Sequence, residues 1–267
     1  MIYEIYKKLT VSIITAALVA ALFSGCAGGG LIDNSSEKGG QSASGGSAKN
    51  GELSDKHELF DDGLATFLKI IGTLESTENY KWTTSGDTRA KKGIIDYVQN
   101  VNSSLEKNGE KWTSVSKSSS LFVNLEHEVG AYGGTAKYKD SREDGEKTVG
   151  YEEYRKKFGV LPCDKGFAGY IINSRTVLSA VNKCGQDGLY TLEAELSPNS
   201  AANMKIQMKN FGGLNDYPAF ERIAFSITYD EHFRVVSYVT SATYDIDINV
   251  LGKMKCVMSM QTACTYD

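Results

Sequence analysis

The clearest pattern in the chain is the alternation of apolar and polar side chains near its C-terminus. Ile223, Phe225, Ile227 and Tyr229 share one side of the segment 220–229. After the turn Asp230-Glu231-His232-Phe233, Val236, Tyr238, Thr240, Ala242, Tyr244, Ile246 and Ile248 alternate with polar neighbours. Beyond Leu251-Gly252, Cys256, Met258, Met260, Cys264 and Tyr266 do the same. Period two over three consecutive segments predicts three long antiparallel strands with one buried face.

Elsewhere the period changes. Phe60, Leu64, Phe67, Leu68, Ile71 and Leu74 recur at helical spacing behind Ser54, a potential cap, and predict a helix lying across the sheet. Gly63 and Gly72 weaken it somewhat. A second helix opens at Ser197-Pro198, carries Met204, Ile206, Met208 and Phe211, and ends at Gly212-Gly213. Residues 150–158 suit a short helix stopped by Gly159 and Pro162. Tyr80–Thr84, Gly93–Val101, Leu121–Glu128 and Val129–Lys139 read as extended, with a bulge or bend at glycines 130, 133 and 134. Val177–Lys183 and Leu189–Leu196 form a hairpin about a glycine-containing loop. The order of elements gives an α+β domain over 52–267: a curved antiparallel sheet with helices packed on one face and a C-terminal three-stranded meander.

The N-terminus has a different character. Residues 1–8 end in two lysines, and residues 9–22 are an uncharged apolar run of 14. That is short of the roughly 20 residues of a spanning helix and suits a signal-peptide core. Leu22-Phe23-Ser24-Gly25-Cys26 resembles a lipobox, with phenylalanine where leucine is usual at the third position before the cysteine. The expectation is a signal peptide over 1–25 and acylation of Cys26, with the mature chain lipid-anchored on the extracytoplasmic face of the cell membrane. Two or three acyl chains suffice for a stable anchor where one does not. Residues 27–50 hold 7 glycines and 5 serines. They cannot bury a core, so 26–51 is expected to be a flexible tether, its 24-residue glycine-rich part reaching roughly 25–30 Å.

Composition narrows the function. The chain has 27 glycines, 15 tyrosines and 3 prolines, and 29 basic against 33 acidic side chains, a net charge of −4. Without residues 1–25, which hold Glu4, Lys7 and Lys8, it is −5. A mildly acidic chain without a basic run is a poor nucleic-acid binder. No nucleophile elbow, phosphate loop, dinucleotide fingerprint or paired-histidine zinc motif is present. His57, His127 and His232 lack metal-ligand spacing and read as surface histidines; Asp61-Asp62 and Asp245 with Asp247 read as surface charge. No catalytic residue, metal or cofactor is expected, and the chain is read as a non-enzyme.

Four cysteines follow Cys26. Cys256 and Cys264 on one strand would stand about 27 Å apart, too far to bond. Cys163 with Cys184 is the more plausible disulfide, and free thiols are the alternative for all four.

The stretch from Tyr170 through Ser197-Pro198, Met208-Lys209-Asn210-Phe211-Gly212-Gly213-Leu214 and the closing meander resembles uncharacterised lipoproteins of anaerobic Firmicutes. The overall plan is similar to the LolA/LppX-type lipoprotein carriers. That resemblance implies a half-barrel with helices lining a greasy cavity for acyl chains. The residues expected to line it are Phe67, Ile71, Phe225, Ile227, Tyr238, Tyr244, Met258 and Met260. The expected partners are the membrane, through the lipid, and a hydrophobic ligand such as a lipid. The alternative is an envelope interaction module with a packed core.

Overall fold

β11 (Gly252–Tyr266) is the seam of the structure, a computed structural model that describes residues 62–92, 95–120, 124–164, 167, 169–185, 188–212, 214–248 and 252–266. On one side it pairs with β10 (Val235–Ile248), which pairs with β9 (Ala219–Asp230), completing the C-terminal meander. On its other side it pairs with β1 (Asn79–Lys92) over twelve residues, from Tyr80 opposite Tyr266 to Lys91 opposite Lys255. That pairing joins two meanders. The first runs through β2 (Ile95–Asn108), β3 (Lys111–Ser119), β4 (Asn124–Tyr132), β5 (Thr135–Asp140) and β6 (Glu146–Gly150). The second begins at β7 (Val177–Cys184) and β8 (Leu189–Leu196). The strand order is β6-β5-β4-β3-β2-β1-β11-β10-β9-β8-β7, antiparallel throughout and open, with β6 and β7 as its edges.

The expected α+β balance is corrected here: sheet dominates. The described helices are α1 (Gly63–Ser76), α2 (Tyr151–Phe158) and α3 (Ala202–Gly212), the last preceded by a 3-10 turn at Pro198–Ala201. α1 packs on β7 and β8, α2 on β5 and β6, and the 3-10 turn on β9. α2 and α3 touch, with Asn210 Nδ2 donating to Lys156 O at 3.2 Å. In a flat sheet β5 and β9 would lie about 34 Å apart, seven steps of about 4.8 Å. Helices some 10 Å wide meet across that span only if the sheet curls around them.

The inner face carries the core. β11 buries Met254, Cys256, Met258, Met260, Thr262 and Cys264 and exposes the residues between them. β9 buries Ile223, Phe225, Ile227 and Tyr229, and β10 buries Tyr238, Thr240, Ala242, Tyr244 and Ile246. The C-terminal meander follows the predicted alternation from Tyr238 on, but Val236, expected inward, is exposed and Val235 is buried in its place, because the β9–β10 register shifts between Val235 and Ser237. β1 and β2 are longer than expected, and β3 and β6 were not expected at all. Their inner faces explain why. β1 turns Thr84, Gly86 and Thr88 inward, and β3 turns Ser114, Ser116 and Ser118 inward, so apolar alternation is missing where the strands are most regular.

Local chemistry sets the ends. Asp62 caps α1, its Oδ1 accepting from Ala65 N at 2.9 Å. Ser54 and Phe60 lie outside the described residues, as do the signal peptide, Cys26 and the tether. The bend expected in Val129–Lys139 is the β4–β5 turn, where Gly133 and Gly134 take φ of 58° and 84°. These values favour glycine.

Candidate functional site

At one end of the inner face a cleft of about 280 Å³ opens to solvent. Its walls come from four separate places: Leu74 and Glu75 at the end of α1, Tyr80 on β1, Lys107 to Trp112 around the β2–β3 turn, and Cys163 in the coil after α2. The register assembles it, since Tyr80 pairs with Lys107 on one side and Tyr266 on the other. The Tyr80 and Trp112 rings meet edge-on at 5.8 Å. Lys107 Nζ sits 5.2 Å from the Trp112 ring and 5.9 Å from the Tyr80 ring. It donates to Thr77 O, and to Glu75 O at 3.4 Å, meeting carbonyls that the end of α1 leaves over. The ammonium is therefore anchored with its stem against the aromatic wall.

Behind the cleft the aromatic surface continues inward. Tyr80 stacks toward Trp82 at 5.5 Å, Trp82 meets Tyr238 at 5.5 Å, and Tyr238 meets Phe167 at 5.2 Å. Phe167 in turn contacts Phe67 of α1 and Phe225 of β9. Of the residues expected to line a cavity, Phe67, Phe225 and Tyr238 belong to this aromatic cluster and Ile227 is buried beside it on β9. Tyr244, Met258 and Met260 are buried farther along the inner face, and Ile71 is partly buried against the core. Pattern alone located none of the cleft's own residues, because they meet only through strand register and the chain reversal at 109–110.

A second cleft of about 320 Å³ crosses β7 to β10. Exposed Val181 and Val239 lie among Ser226, Ser241, Glu193, Glu195 and Arg222, so it is shallowly apolar and mixed in charge.

The cysteines correct one expectation. All four described thiols are free. Cys163 lines the aromatic cleft, whereas Cys184 ends the edge strand β7, so the two are not joined. Burial pushes Cys256 and Cys264 up to about 12, which leaves them as protonated core residues. Burial raises the Cys163 thiol too.

His127 corrects another. It is 3% exposed, not a surface residue. Its Nδ1 lies 2.9 Å from Asp140 Oδ2 and its Nε2 lies 2.8 Å from the Tyr154 hydroxyl. Burial alone would raise the Asp140 carboxyl, but hydrogen bonds from Arg142 and His127 hold it well below the usual carboxylate range. Tyr138 stacks on the imidazole and Phe158 meets it edge-on at 4.8 Å. With Tyr154 fully buried, the array pins α2 onto β4 and β5. The available signal was its register with Val129 and Ala131, inner residues of the same strand.

A third feature lies deep on the inner face. The hydroxyl of Tyr170 and the Oε1 of Gln99 are buried without a hydrogen-bond partner, and the hydroxyls of Tyr244 and Thr88 are buried against each other. Thr88 pairs with Gln99 across β1 and β2, Tyr244 stands beside Thr88, and Tyr170 lies within electrostatic reach of Tyr244. Gln99 Nε2 donates onward to Ser118. Burial raises both phenols, which stay neutral. Buried polar groups are rarely left unsatisfied.

Among the described residues no group of three or more His, Cys, Asp or Glu side chains is placed to hold a metal, and no helix is long and apolar enough to cross a membrane.

No protein-family model and no curated protein matches the chain. Among solved structures it is similar to LprF from Mycobacterium bovis, at 9% identity and a TM-score of 0.37, over 76% of this chain and 91% of that one. An outer membrane lipoprotein-sorting protein domain from Vibrio parahaemolyticus aligns at 11% identity and a TM-score of 0.31, over 77% and 92% of the two chains. A LolA superfamily protein from Nitrosomonas europaea aligns at 11% identity and 0.25, over 73% and 92%. One of these neighbours is named for the LolA superfamily. With TM-scores below 0.5, the likeness does not make the chain a member.

Proposed function

We propose that this chain is an extracytoplasmic protein, anchored at the cell membrane by acylation of Cys26, that binds a hydrophobic ligand through the Tyr80–Trp112 cleft. One observation carries the reading. The cleft is open to solvent, walled by Leu74, Tyr80 and Trp112, and continuous with the aromatic surface running through Trp82 to Phe167. Ligand sites are concave and mostly apolar with a few fixed polar groups, and Lys107 and Glu110 are such groups here. The interior behind it is deformable. Met204, Met208, Met254, Met258 and Met260 are all buried, and unbranched thioether side chains repack readily around a guest.

The two tryptophans of the chain, Trp82 and Trp112, both belong to this surface. A saturable change in tryptophan emission on titrating a long-chain acyl probe into the mature chain, weakened in Trp112→Ala, is the expected result. A flat titration, with no lipid recovered from protein purified without detergent, would remove the ligand reading. Metabolic labelling with palmitate, lost in Cys26→Ser, tests the anchor separately.

The mixed groove across β7 to β10, with Leu178 and Val181 exposed on the edge strand, favours the second reading of an envelope interaction module. An unliganded protein whose partner capture is abolished by Val181→Glu would support that alternative.

A further inference from the structure

We infer that the Tyr80–Trp112 cleft takes one acyl chain, buries no more than about nine of its carbons, and so selects single-chain amphiphiles such as lysophospholipids over lipids that must bury two chains. The inference rests on the proposed ligand-binding function and names the class of ligand.

Size comes first. A methylene needs about the room that a water molecule takes in the liquid, roughly 30 Å³. The cleft measures about 280 Å³ with its open mouth included, so about nine methylenes fill it. One chain of that length fits. Two chains side by side would each stop at about four or five carbons.

The walls set the same limit. Leu74, Tyr80 and Trp82 are each no more than 2% exposed, and rings close the inner end. Trp82 meets Tyr80 at 5.5 Å and Tyr238 at 5.5 Å, while Phe167 backs both Trp82 and Tyr238. Rings in contact at close-packed density leave no slot for a chain. Met260 and Met258 lie deeper along the inner face, opposite Gly86 and Thr88, so a chain reaches them only by displacing this plug.

The mouth decides which end of the guest enters. Glu75, Lys107 and Glu110 stand around the opening. Charged groups of both signs beside solvent suit a polar head and not a second hydrocarbon chain, whose burial needs apolar walls. Cys163 supplies a reporter of occupancy: it lines the cleft, whereas Cys184 is exposed at the end of β7.

The test uses the mature chain with Cys26→Ser, so that no acyl chain of its own competes. The probes are lysophosphatidylcholines from hexanoyl to hexadecanoyl, each below its micelle concentration, and affinity is read by tryptophan emission. Binding should tighten about fourfold per added methylene up to roughly nine carbons and then stay level. Dihexanoylphosphatidylcholine should bind no more tightly than the hexanoyl lysolipid, because only one chain enters. Saturating decanoyl lysolipid should slow alkylation of Cys163, read by mass spectrometry, and leave Cys184 unchanged. A gain that continues to hexadecanoyl, or a two-chain lipid bound more tightly than its one-chain counterpart, would overturn the inference and leave the ligand reading standing. Binding without protection of Cys163 would put the guest elsewhere and overturn both. Binding at no chain length would also overturn both.

Discussion

His127 Nδ1 and Asp140 Oδ2 lie 2.9 Å apart in the core, brought together by the direct pairing of β4 with β5. The carboxylate also accepts from Arg142 N at 2.9 Å and from its guanidinium at 2.7 and 2.8 Å, so a buried anion is held by several donors at once. Asp140→Asn should cost about 1.5–3 kcal/mol, the range for hydrogen bonds to charged groups. Urea unfolding at neutral pH measures it. The carboxyl is lowered in the folded state. Its contribution is therefore complete above its unfolded pKa of about 4 and lost as pH falls below that toward the folded value. The difference in stability between parent and Asp140→Asn should shrink on acidification below pH 4.

Tyr154 completes the same array from α2. Tyr154→Phe keeps the ring packing against Phe158 and removes the hydroxyl facing His127 Nε2. The loss should be about 0.5–1.5 kcal/mol. Amide exchange should rise in α2 before it rises in β9 to β11. Uniform exchange across the sheet would show that the array does not pin this helix.

Two glycines of α1 should respond in opposite directions. A Cβ on Gly63 would overlap the carbonyl of Ala180 on β7, so Gly63→Ala forces helix and strand apart at a cost of about 1–3 kcal/mol. Gly72 has open space around its Cα, and Gly72→Ala should stabilise the domain by about 0.5–1 kcal/mol. Thermal unfolding of the two variants side by side is decisive.

The thiols should sort by exposure. Cys184 is exposed at the end of an edge strand, whereas Cys256 and Cys264 are buried and raised to about 12. A thiol reagent at pH 8 should modify Cys184 first and reach the β11 pair only on unfolding. Early modification at Cys256 would mean that β11 opens readily.

Much of this was legible in the chain. The closing meander was, because Ile223 to Tyr229 and Cys256 to Cys264 alternate without interruption. The inner rows of β1 and β3 were not, because Thr84, Thr88, Ser114 and Ser116 are buried yet polar, and hydropathy alone reads them as solvent-facing. His127 was misjudged for the same reason, since Glu126 and Glu128 on either side disguise an inward position.

By itself the sequence determined the period of the closing strands from Tyr238 on, the turns between them, and a pattern at the N-terminus that predicts an acylated cysteine. These are local properties, written in neighbours a few residues apart. Only the tertiary structure decided that β1 pairs with β11, that Tyr80 and Trp112 wall one cleft, and that Thr88, Tyr244 and Tyr170 share a buried row. Those meetings depend on register between strands far apart in the chain. A slip of one residue would turn each of these strand side chains to the other face of the sheet.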